Sequence, residues 1–277
     1  MKAPINKIID FSTVDGPGNR TSIFFQGCNI HCAYCHNPET QKLCINCGEC
    51  IKTCPSKALS MIDGKVFWDE EKCSNCDTCI NVCTHRASPK IKYLTPEEVF
   101  NVVKGNEPFI RGITVSGGEC SLYPEFLKEL FILAKKDNLT TLMDSNGMIL
   151  YENFPELMEV VDGVMLDIKS WDNDIYNHLV GFDNANVKRN LQYLVDNNKI
   201  EELRIVYVPY LVDAKNCIEG IASILKEKTK STKLKLITFR KNGVRGQLEN
   251  HSSPRVDEMN ELKEFALKKG FTKIELR

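Results

Sequence analysis

The placement of cysteine constrains this chain more than any other feature of its sequence. Eleven of its 13 cysteines lie between Cys28 and Cys83, and only Cys120 and Cys217 stand apart. The opening residues Met1–Lys7 lack the apolar core of a secretory signal peptide, so we expect a cytoplasmic protein. In that reducing compartment clustered cysteines bind metal, whereas the two isolated ones are expected to be packed residues.

The overall composition argues against two other classes of protein. Lys and Arg number 36 and Asp and Glu 37, and the resulting formal net charge of -1 provides no basic excess for nucleic acid. No apolar run approaches the length of a membrane span. We therefore expect no nucleic-acid partner and no membrane partner.

The first three cysteines, Cys28, Cys32 and Cys35, form a C-x3-C-x2-C loop. Thiolates suit iron–sulfur clusters, and three of them can hold three irons of a [4Fe-4S] cubane. The fourth iron then lacks a protein ligand, and an open metal position is where chemistry occurs. A zinc site completed by His31 or His36 is the alternative interpretation.

The next eight cysteines form two copies of one pattern, offset by 29 residues. Each copy reads C-x2-C-x2-C-x3-C, as in bacterial ferredoxins, where the fourth cysteine of each run binds the other cluster. This rule predicts two more [4Fe-4S] clusters, held by Cys44, Cys47, Cys50 and Cys83 and by Cys54, Cys73, Cys76 and Cys79. Two zinc sites are the alternative, although zinc motifs separate their cysteine pairs more widely. The clusters would either relay electrons or brace the segment, and we favour the relay.

Strands and helices alternate in the rest of the chain. Strands are expected at 20–26, 113–116, 139–143, 164–168, 203–208 and 234–239, with helices between them and a further short strand at 274–276. This order predicts a parallel α/β sheet with right-handed crossovers, namely a partial (β/α)6 barrel. We assign residues 1–43 and 91–277 to the barrel and residues 44–90 to a ferredoxin-like insert.

Polar or glycine-rich groups stand at the end of most predicted strands. They are Ser116–Glu119, Asp144–Gly147, Asp167–Lys169, Arg204 and Arg240–Gly243. Because the carboxyl ends of parallel strands meet at one edge, these groups are expected to form one site. Glycine permits close approach to a ligand, and Lys169 or Arg204 would suit a carboxylate.

The three-cysteine loop resembles the signature of the radical-SAM superfamily, and other segments make the resemblance more specific. Thr13–Arg20, Val115–Glu119, Asp144–Gly147 and Met165–Lys169 look like motifs of glycyl-radical-enzyme activating enzymes, and the insert looks like that of the YjjW type. The resemblance implies reductive cleavage of S-adenosylmethionine (SAM) to a 5′-deoxyadenosyl radical. That radical would take a hydrogen from a glycine of a partner glycyl-radical enzyme, of the YjjI type.

The resemblance also implies roles for individual residues. Tyr34 falls beside the adenine, Gly117, Gly118 and Glu119 at the methionine moiety, and Ser145, Asp167, Lys169 and Arg204 in the rest of the SAM site. Asp144, Ser145, Met165 and Asp167 match positions that bind a monovalent cation. Asp15 lies where the partner's glycine loop approaches. Arg240 stands where activating enzymes often carry His, so the contact there, to SAM or to substrate, stays open.

Two other functions stay open beside this one. The first is a radical-SAM enzyme acting on a small molecule, which the Thr13–Arg20 motif and the insert argue against. The second is a non-catalytic iron–sulfur electron carrier, in which the residues at the strand ends would have no purpose. For the activating enzyme we expect a flavodoxin or ferredoxin-like reductant and an anaerobic setting, because cubanes and glycyl radicals are damaged by oxygen.

Overall fold

The computed structural model describes all 277 residues and contains eleven strands. In chain order they are β1 (Ala3–Ser12), β2 (Arg20–Phe25), β3 (Leu59–Ile62), β4 (Lys65–Trp68), β5 (Lys92–Leu94), β6 (Gly112–Gly117), β7 (Thr140–Ser145), β8 (Gly163–Asp167), β9 (Ile200–Tyr207), β10 (Lys233–Thr238) and β11 (Lys273–Leu276). Nine of them form one sheet in the order β11-β10-β9-β8-β7-β6-β2-β1-β5, and β3 and β4 form a separate hairpin.

Nine α-helices connect or follow these strands. They are α1 (Glu49–Lys52), α2 (Thr78–Asn81), α3 (Pro96–Asn106), α4 (Pro124–Lys136), α5 (Pro155–Val160), α6 (Asn173–Val180), α7 (Ala185–Asp196), α8 (Ala214–Leu225) and α9 (Val256–Lys268). Short 3-10 turns occur at Pro38–Thr40, Glu107–Phe109, Cys120–Leu122, Tyr151–Asn153 and Lys226–Lys230. None of the helices combines the length and the apolar content that crossing a bilayer requires.

The parallel α/β sheet expected from the sequence is confirmed. Strands β2 and β6 to β11 run parallel to one another, and residues 273–276 supply the seventh of these strands. The antiparallel strands β1 and β5 were not expected from the sequence. Strand β1 has register shifts at Ile5/Lys7 and Ile9/Ser12, and such irregularities interrupt the two-residue period by which a strand is recognised.

The main hydrophobic core comprises 52 buried residues and lies between the sheet and its helices. Helix α4, for example, turns Phe126, Leu127, Leu130 and Phe131 inward at helical spacing. Helix α3 begins with the capping box that the sequence predicts, since Thr95 Oγ1 accepts from Glu98 N and the Glu98 carboxylate accepts from Thr95 N.

Segment 44–90 has almost no core of its own. Its apolar cluster contains three buried residues, Cys50, Leu59 and Cys79, two of which are cysteines. Burial on this scale cannot offset the conformational entropy of ordering nearly fifty residues. A segment of this kind needs another source of stability, and metal binding is one such source. The division of the chain into barrel and insert remains a prediction.

Candidate active site

The three-cysteine loop follows β2 and is clamped at both ends. The buried side chain of Gln26 donates from Nε2 to the carbonyl oxygens of Glu39 and Lys42, at 2.6 Å each. The backbone N–H of Cys28 donates to the carbonyl of Gln41 at 2.8 Å. The loop therefore closes on itself, and its cysteines are held at the carboxyl edge of the parallel sheet.

Two glycines at the end of β6 allow this loop to pack against the sheet. A Cβ atom on Gly117, whose φ is +120°, would lie 2.2 Å from the backbone nitrogen of Phe25. A Cβ atom on Gly118 would lie 2.2 Å from the carbonyl oxygen of Gly27. The close approach that these glycines permit is thus partly an approach of the protein to itself.

One cavity at the carboxyl edge contains most of the residues predicted from the sequence. These are Cys28, Cys32, Tyr34, Cys35, Gly117, Gly118, Glu119, Asp144, Ser145, Asp167 and Lys169. Ser116 and Asn146, from the runs predicted at the strand ends, also line it, and the cavity is completed by residues not expected there, namely Ile30, His36, Asn37, Gln41 and Val206. The strand ends and the cysteine loop therefore form a single site.

Several of these additional residues carried a signal in the sequence. His36 and Asn37 continue the cysteine loop. Val206 follows Arg204 by two residues, so strand alternation places it on the same face of β9. Gln41 carried no such signal, because it reaches the cavity only through the folded path of the loop.

The chemistry of the three cysteines fits an iron–sulfur cluster. Burial raises the pKa of the Cys28 thiol to about 12 and that of Cys32 to about 11, so a bound metal must displace the protons. No three His, Cys, Asp or Glu side chains converge as a single metal ion would require. A cubane instead bonds each thiolate to a different iron, so its thiolates surround a space, as they do here.

A single positive charge lies inside the cavity. Lys169 Nζ donates to Asp167 Oδ2 at 2.9 Å and lies 5.9 Å from the centre of the Tyr34 ring. Burial alone would lower the pKa of Lys169, but Asp167, Cys32 and Tyr34 together raise it well above its usual value. Lys169 is therefore an ammonium, and a ligand carboxylate entering the cavity would meet it.

Glu119 organises the neighbouring strand end. Its carboxylate is buried and accepts hydrogen bonds from the hydroxyls of Ser121 and Ser145 and from the backbone N–H of Asn146. Burial raises its pKa, and these donors oppose the rise. Asn146 in turn donates from Nδ2 to Asn29 Oδ1 at 2.9 Å, which connects this turn to the cysteine loop.

Arg204 lies just below the cavity and does not line it. Its guanidinium pairs with Asp144 Oδ2 at 2.8 Å and with Glu202 Oε1 at 2.6 Å, and its Nη2 lies 2.9 Å from Met165 Sδ. Asp144 and Met165 are neighbours in the register of β7 and β8. Two of the predicted cation ligands therefore contact the positive charge of Arg204, and the cation remains a prediction.

Two other predicted residues also lie outside the cavity lining. The carboxylate of Asp15 accepts hydrogen bonds from the hydroxyls of Ser12 and Ser22, at 2.6 and 2.9 Å. Thr114 of β6 donates from Oγ1 to the backbone carbonyl of Asp15 at 2.6 Å, so Asp15 lies against the polar side chains of the sheet. Arg240 is exposed after β10 and does not reach the cavity.

The other eight cysteines of the segment surround two further cavities. One is lined by Cys44, Cys47, Cys50 and Cys83, and also by Cys79, which both cavities share. The second is lined by Cys54, Cys73, Cys76, Cys79 and Trp68. The fourth cysteine of each run thus lies with the first three of the other run, as the ferredoxin spacing predicts. The number of clusters remains a prediction.

Unsatisfied polar atoms gather around the same cavities. Five buried side-chain N or O atoms lack a hydrogen-bond partner, and four of them belong to residues of the cysteine cavities: Tyr34, His36, Gln41 and Trp68. Buried polar atoms are nearly always paired in folded proteins. Their concentration here indicates that the residues present fit groups with polar or sulfur atoms at these positions.

Comparison with known proteins places these features in one family. Residues 22–216 match the Radical SAM superfamily. The chain is 31% identical to the indoleacetate decarboxylase activating enzyme of Tractidigestivibacter scatoligenes, over 82% of this chain and 80% of that protein. It is 30% identical to the pyruvate formate-lyase-activating enzyme of Clostridium pasteurianum, over 87% and 83%. QueE from Escherichia coli shares the fold with a TM-score of 0.55 at 13% identity, covering 100% of this chain and 94% of QueE.

Proposed function

This chain belongs to the radical SAM superfamily, as a glycyl-radical-enzyme activating enzyme, and we propose on that premise which of its residues serve each part of the activity. When bound, a [4Fe-4S] cluster and SAM supply a 5′-deoxyadenosyl radical by reductive cleavage, and this radical takes a hydrogen from a glycine of the partner enzyme. The function predicted from the sequence is confirmed at this level.

One observation carries the assignment of the reacting site. Three thiols, of which Cys32 is buried and the other two are partly buried, line the same cavity as the ammonium of Lys169 at the carboxyl edge of the parallel strands. We assign Cys28, Cys32 and Cys35 to three irons of the catalytic cluster. Lys169, held by Asp167, would bind the carboxylate of SAM and orient its methionine moiety.

The cavity offers a second set of contacts for the adenosine. The ring of Tyr34 lies within the cavity beside Lys169, and its buried hydroxyl lacks a partner. Nε2 of His36 is also buried without a partner. We assign Tyr34 and His36 to the adenosine, whose polar atoms would satisfy both side chains. Their burial also removes water from the position where a reactive radical would otherwise be lost.

We place the glycine of the partner enzyme on the polar face of the sheet, near Asp15 and Asp144. Asp15 is half-buried and held by two serine hydroxyls, so its carboxylate has a defined orientation. Arg204 would hold Asp144 in place, and a monovalent cation at Asp144, Ser145, Met165 and Asp167 would add a second positive charge. Arg240 is exposed near the same edge and would contact the partner protein.

We further propose that the segment 44–90 is a ferredoxin-like insert with two [4Fe-4S] clusters that relay single electrons. The two four-cysteine cavities and the small apolar core of the segment support this assignment. Cys47 and Cys76 are exposed, so electrons can enter from a flavodoxin or ferredoxin-like donor at the protein surface. On the same grounds we propose a YjjW-type activating enzyme and a YjjI-type partner.

The test is the formation of 5′-deoxyadenosine by the anaerobically reconstituted protein, supplied with SAM and a reductant. It is run with and without a candidate glycyl-radical enzyme, and the glycine-to-alanine variant of that partner serves as a matched control. We expect product formation together with a glycyl radical signal in the electron paramagnetic resonance (EPR) spectrum of the intact partner only.

The other outcomes identify the competing functions. Cleavage of SAM that no glycyl-radical partner alters would indicate a small-molecule substrate. A protein that carries about 12 irons, as three cubanes require, and yet cleaves no SAM would indicate an electron carrier.

A further inference from the structure

Gln41 and Arg86 join the catalytic cysteine loop to the segment with the other eight cysteines. We infer that the side-chain amide of Gln41 donates a hydrogen bond to the sulfur of Cys35 in the catalytic cluster, and that Arg86 holds the amide in that orientation. The inference rests on the proposed function, because it concerns the cluster assigned to Cys28, Cys32 and Cys35. It makes Gln41 and Arg86 positioning residues.

The orientation of the Gln41 amide follows from hydrogen-bond chemistry. Gln41 is 3% exposed, and its Oε1 accepts from Arg86 Nη1 at 3.2 Å. A guanidinium can only donate, so the amide oxygen must face Arg86 and the NH2 group must face away from it. That NH2 group is buried and has no partner within the protein.

Cys35 lines the same cavity as Gln41, so its sulfur is available as an acceptor for the NH2 group. The backbone carbonyl of Gln41 also accepts a hydrogen bond from the backbone N–H of Cys28, so Gln41 is tied to the catalytic loop. This NH2 group is thus a buried donor without a protein partner in the cavity of the cluster ligands, and we assign it to the sulfur of Cys35.

Arg86 is held by the segment from which it comes. Its backbone adopts φ +53°, in the left-handed region that non-glycine residues rarely occupy. Its carbonyl accepts from the N–H of Lys42 at 3.1 Å, and Lys42 and Ala87 form an isolated parallel bridge. The two chain segments therefore pair beside the Gln41–Arg86 contact.

A third segment, the loop after β10, packs at the junction, by which we mean the place where the catalytic cysteine loop meets the segment 44–90. Arg245 Nη2 donates to the carbonyl of Ile80 at 2.9 Å, and its Nη1 faces the carbonyl of Cys83 at 3.5 Å. Gly243 lies so close to the carbonyl of His36 that a Cβ atom would approach it to 2.3 Å. This loop thus contacts both the catalytic loop and the chain around Cys83.

The junction is adjacent along the chain to one of the two four-cysteine sets of segment 44–90, which we call the outer sets. Cys44 lies three residues after Gln41, and Cys83 lies three residues before Arg86. Both cysteines line the same cavity, so that set is the nearer one along the chain to the catalytic cluster. Hydrogen bonds to cluster sulfurs stabilise the reduced state and thereby raise the reduction potential. Docking of the segment would therefore help to set the potential of the catalytic cluster.

The test is a potentiometric titration followed by EPR, on the fully loaded protein without any partner enzyme. The catalytic cluster is identified as the one whose signal changes when SAM is added. We expect Q41L and Q41E to shift its midpoint potential downward, and R86M to shift it in the same direction by less. The other clusters act as an internal standard and keep their potentials. Q192L, the same substitution at an exposed glutamine of α7, is the matched control and should match the wild type.

Each outcome has a distinct meaning. A loaded Q41L or Q41E protein whose SAM-responsive cluster keeps the wild-type potential would overturn the inference. An unchanged potential in R86M would remove Arg86 from it. Absence of a SAM-responsive cluster in the wild type would contradict the proposed function instead, so the two failures are distinguishable.

Discussion

Arg204 of β9 extends past strand β8 to place its Nη1 2.8 Å from Oδ2 of Asp144 on β7. Both side chains are largely buried, at 10% and 18% exposure. Burial raises the pKa of Asp144, and so do the negative charges of Asp167 and Asp15, whereas Arg204 lowers it. The guanidinium therefore allows three carboxylates to lie together at the base of the site.

Replacement of Arg204 by methionine should destabilise the protein strongly. Breaking a buried ion pair typically costs about 3–5 kcal/mol, because the remaining charge stays buried. The R204M protein should be more stable in potassium or sodium chloride than in the chloride salt of a bulky organic cation. A small cation can approach Asp144 and Asp167 in place of the guanidinium and so recover part of the lost stability. Chemical denaturation in each salt measures both effects.

R189M is the matched control for that experiment. Arg189 pairs with Glu152 at the surface, where an ion pair contributes about 0–1 kcal/mol. Equal stabilities for R204M and R189M would show that the Asp144 pair is not important. If R204M is destabilised and its stability is the same in salts of small and bulky cations, that result would argue against the predicted cation site.

Gly118→Ala should displace the three-cysteine loop. The added methyl group would lie 2.2 Å from the carbonyl oxygen of Gly27, and backbone cannot move away as a side chain can. We expect the free energy of unfolding to fall by about 2 kcal/mol or more. We also expect the iron content to fall by about four per chain, the number in the cluster assigned to that loop. Iron analysis and urea denaturation measure the two effects.

Gly105→Ala provides the comparison for Gly118. Gly105 lies in helix α3, and nothing lies within 4 Å of the position of its missing Cβ. Alanine there should stabilise the protein by about 0.5–1 kcal/mol, because it lowers the entropy of the unfolded chain. If G118A retains the iron content and stability of G105A, the close packing of the loop is not required.

Cys32→Ser should remove the catalytic cluster and leave the other two. The iron content should fall from about 12 to about 8 per chain, and SAM cleavage should be abolished. Cys217→Ser is the matched control, because Cys217 is buried and its Sγ faces Asp213 Oδ1 at 3.6 Å, away from the cysteine cavities. An iron loss in C217S equal to that in C32S would contradict the assignment.

The exchange of the fourth cysteine between the two outer sets is testable by pairs of variants. C44S and C83S should perturb the same EPR signal, because both cysteines line one cavity. C54S and C73S should perturb the other signal, for the corresponding reason. A result in which C83S instead alters the same signal as C73S would show that each run holds its own cluster.

Glu202 should contribute stability that depends on pH. Burial opposes its ionisation, but the attraction of Arg204 and hydrogen bonds from Lys235 and Lys233 outweigh burial and lower its pKa to about 2. Because the folded pKa is the lower one, the stabilisation is complete above the unfolded pKa of about 4.3 and is lost as the pH falls toward 2. The shift corresponds to roughly 3 kcal/mol.

The measurement is urea unfolding of the wild type and E202Q between pH 7 and pH 3, on iron-free protein. The difference in unfolding free energy should be constant down to about pH 4.5 and should shrink at lower pH. E227Q, at a glutamate that is 91% exposed, should stay within about 0.5 kcal/mol of the wild type. A pH-independent difference for E202Q would contradict the lowered pKa.

Much of the fold was predictable because it is written in local patterns. Some of the parallel strands contain short apolar runs, such as Ile23–Phe25 in β2 and Val164–Leu166 in β8, as expected when both faces of a sheet are covered. The antiparallel strand β1 escaped prediction because its irregular register with β2 breaks the strand period. In the site, the cavity contains the predicted glycines, but their packing against Phe25 and Gly27 depends on how β6 lies beside β2.

The sequence by itself determined the chemistry of this protein. Three predicted ligands of each cysteine set are neighbours along the chain, and the repeated ferredoxin spacing predicts the fourth ligand of the two sets in segment 44–90, so local patterns specify the thiolates that metal requires. Only the tertiary structure decided which polar groups support that chemistry. Gln41 and Arg86 are 45 positions apart, and Asp144 and Arg204 belong to strands that β8 separates. Contacts of this kind depend on strand order and on the path of the loops, and no local pattern of residues contains that information.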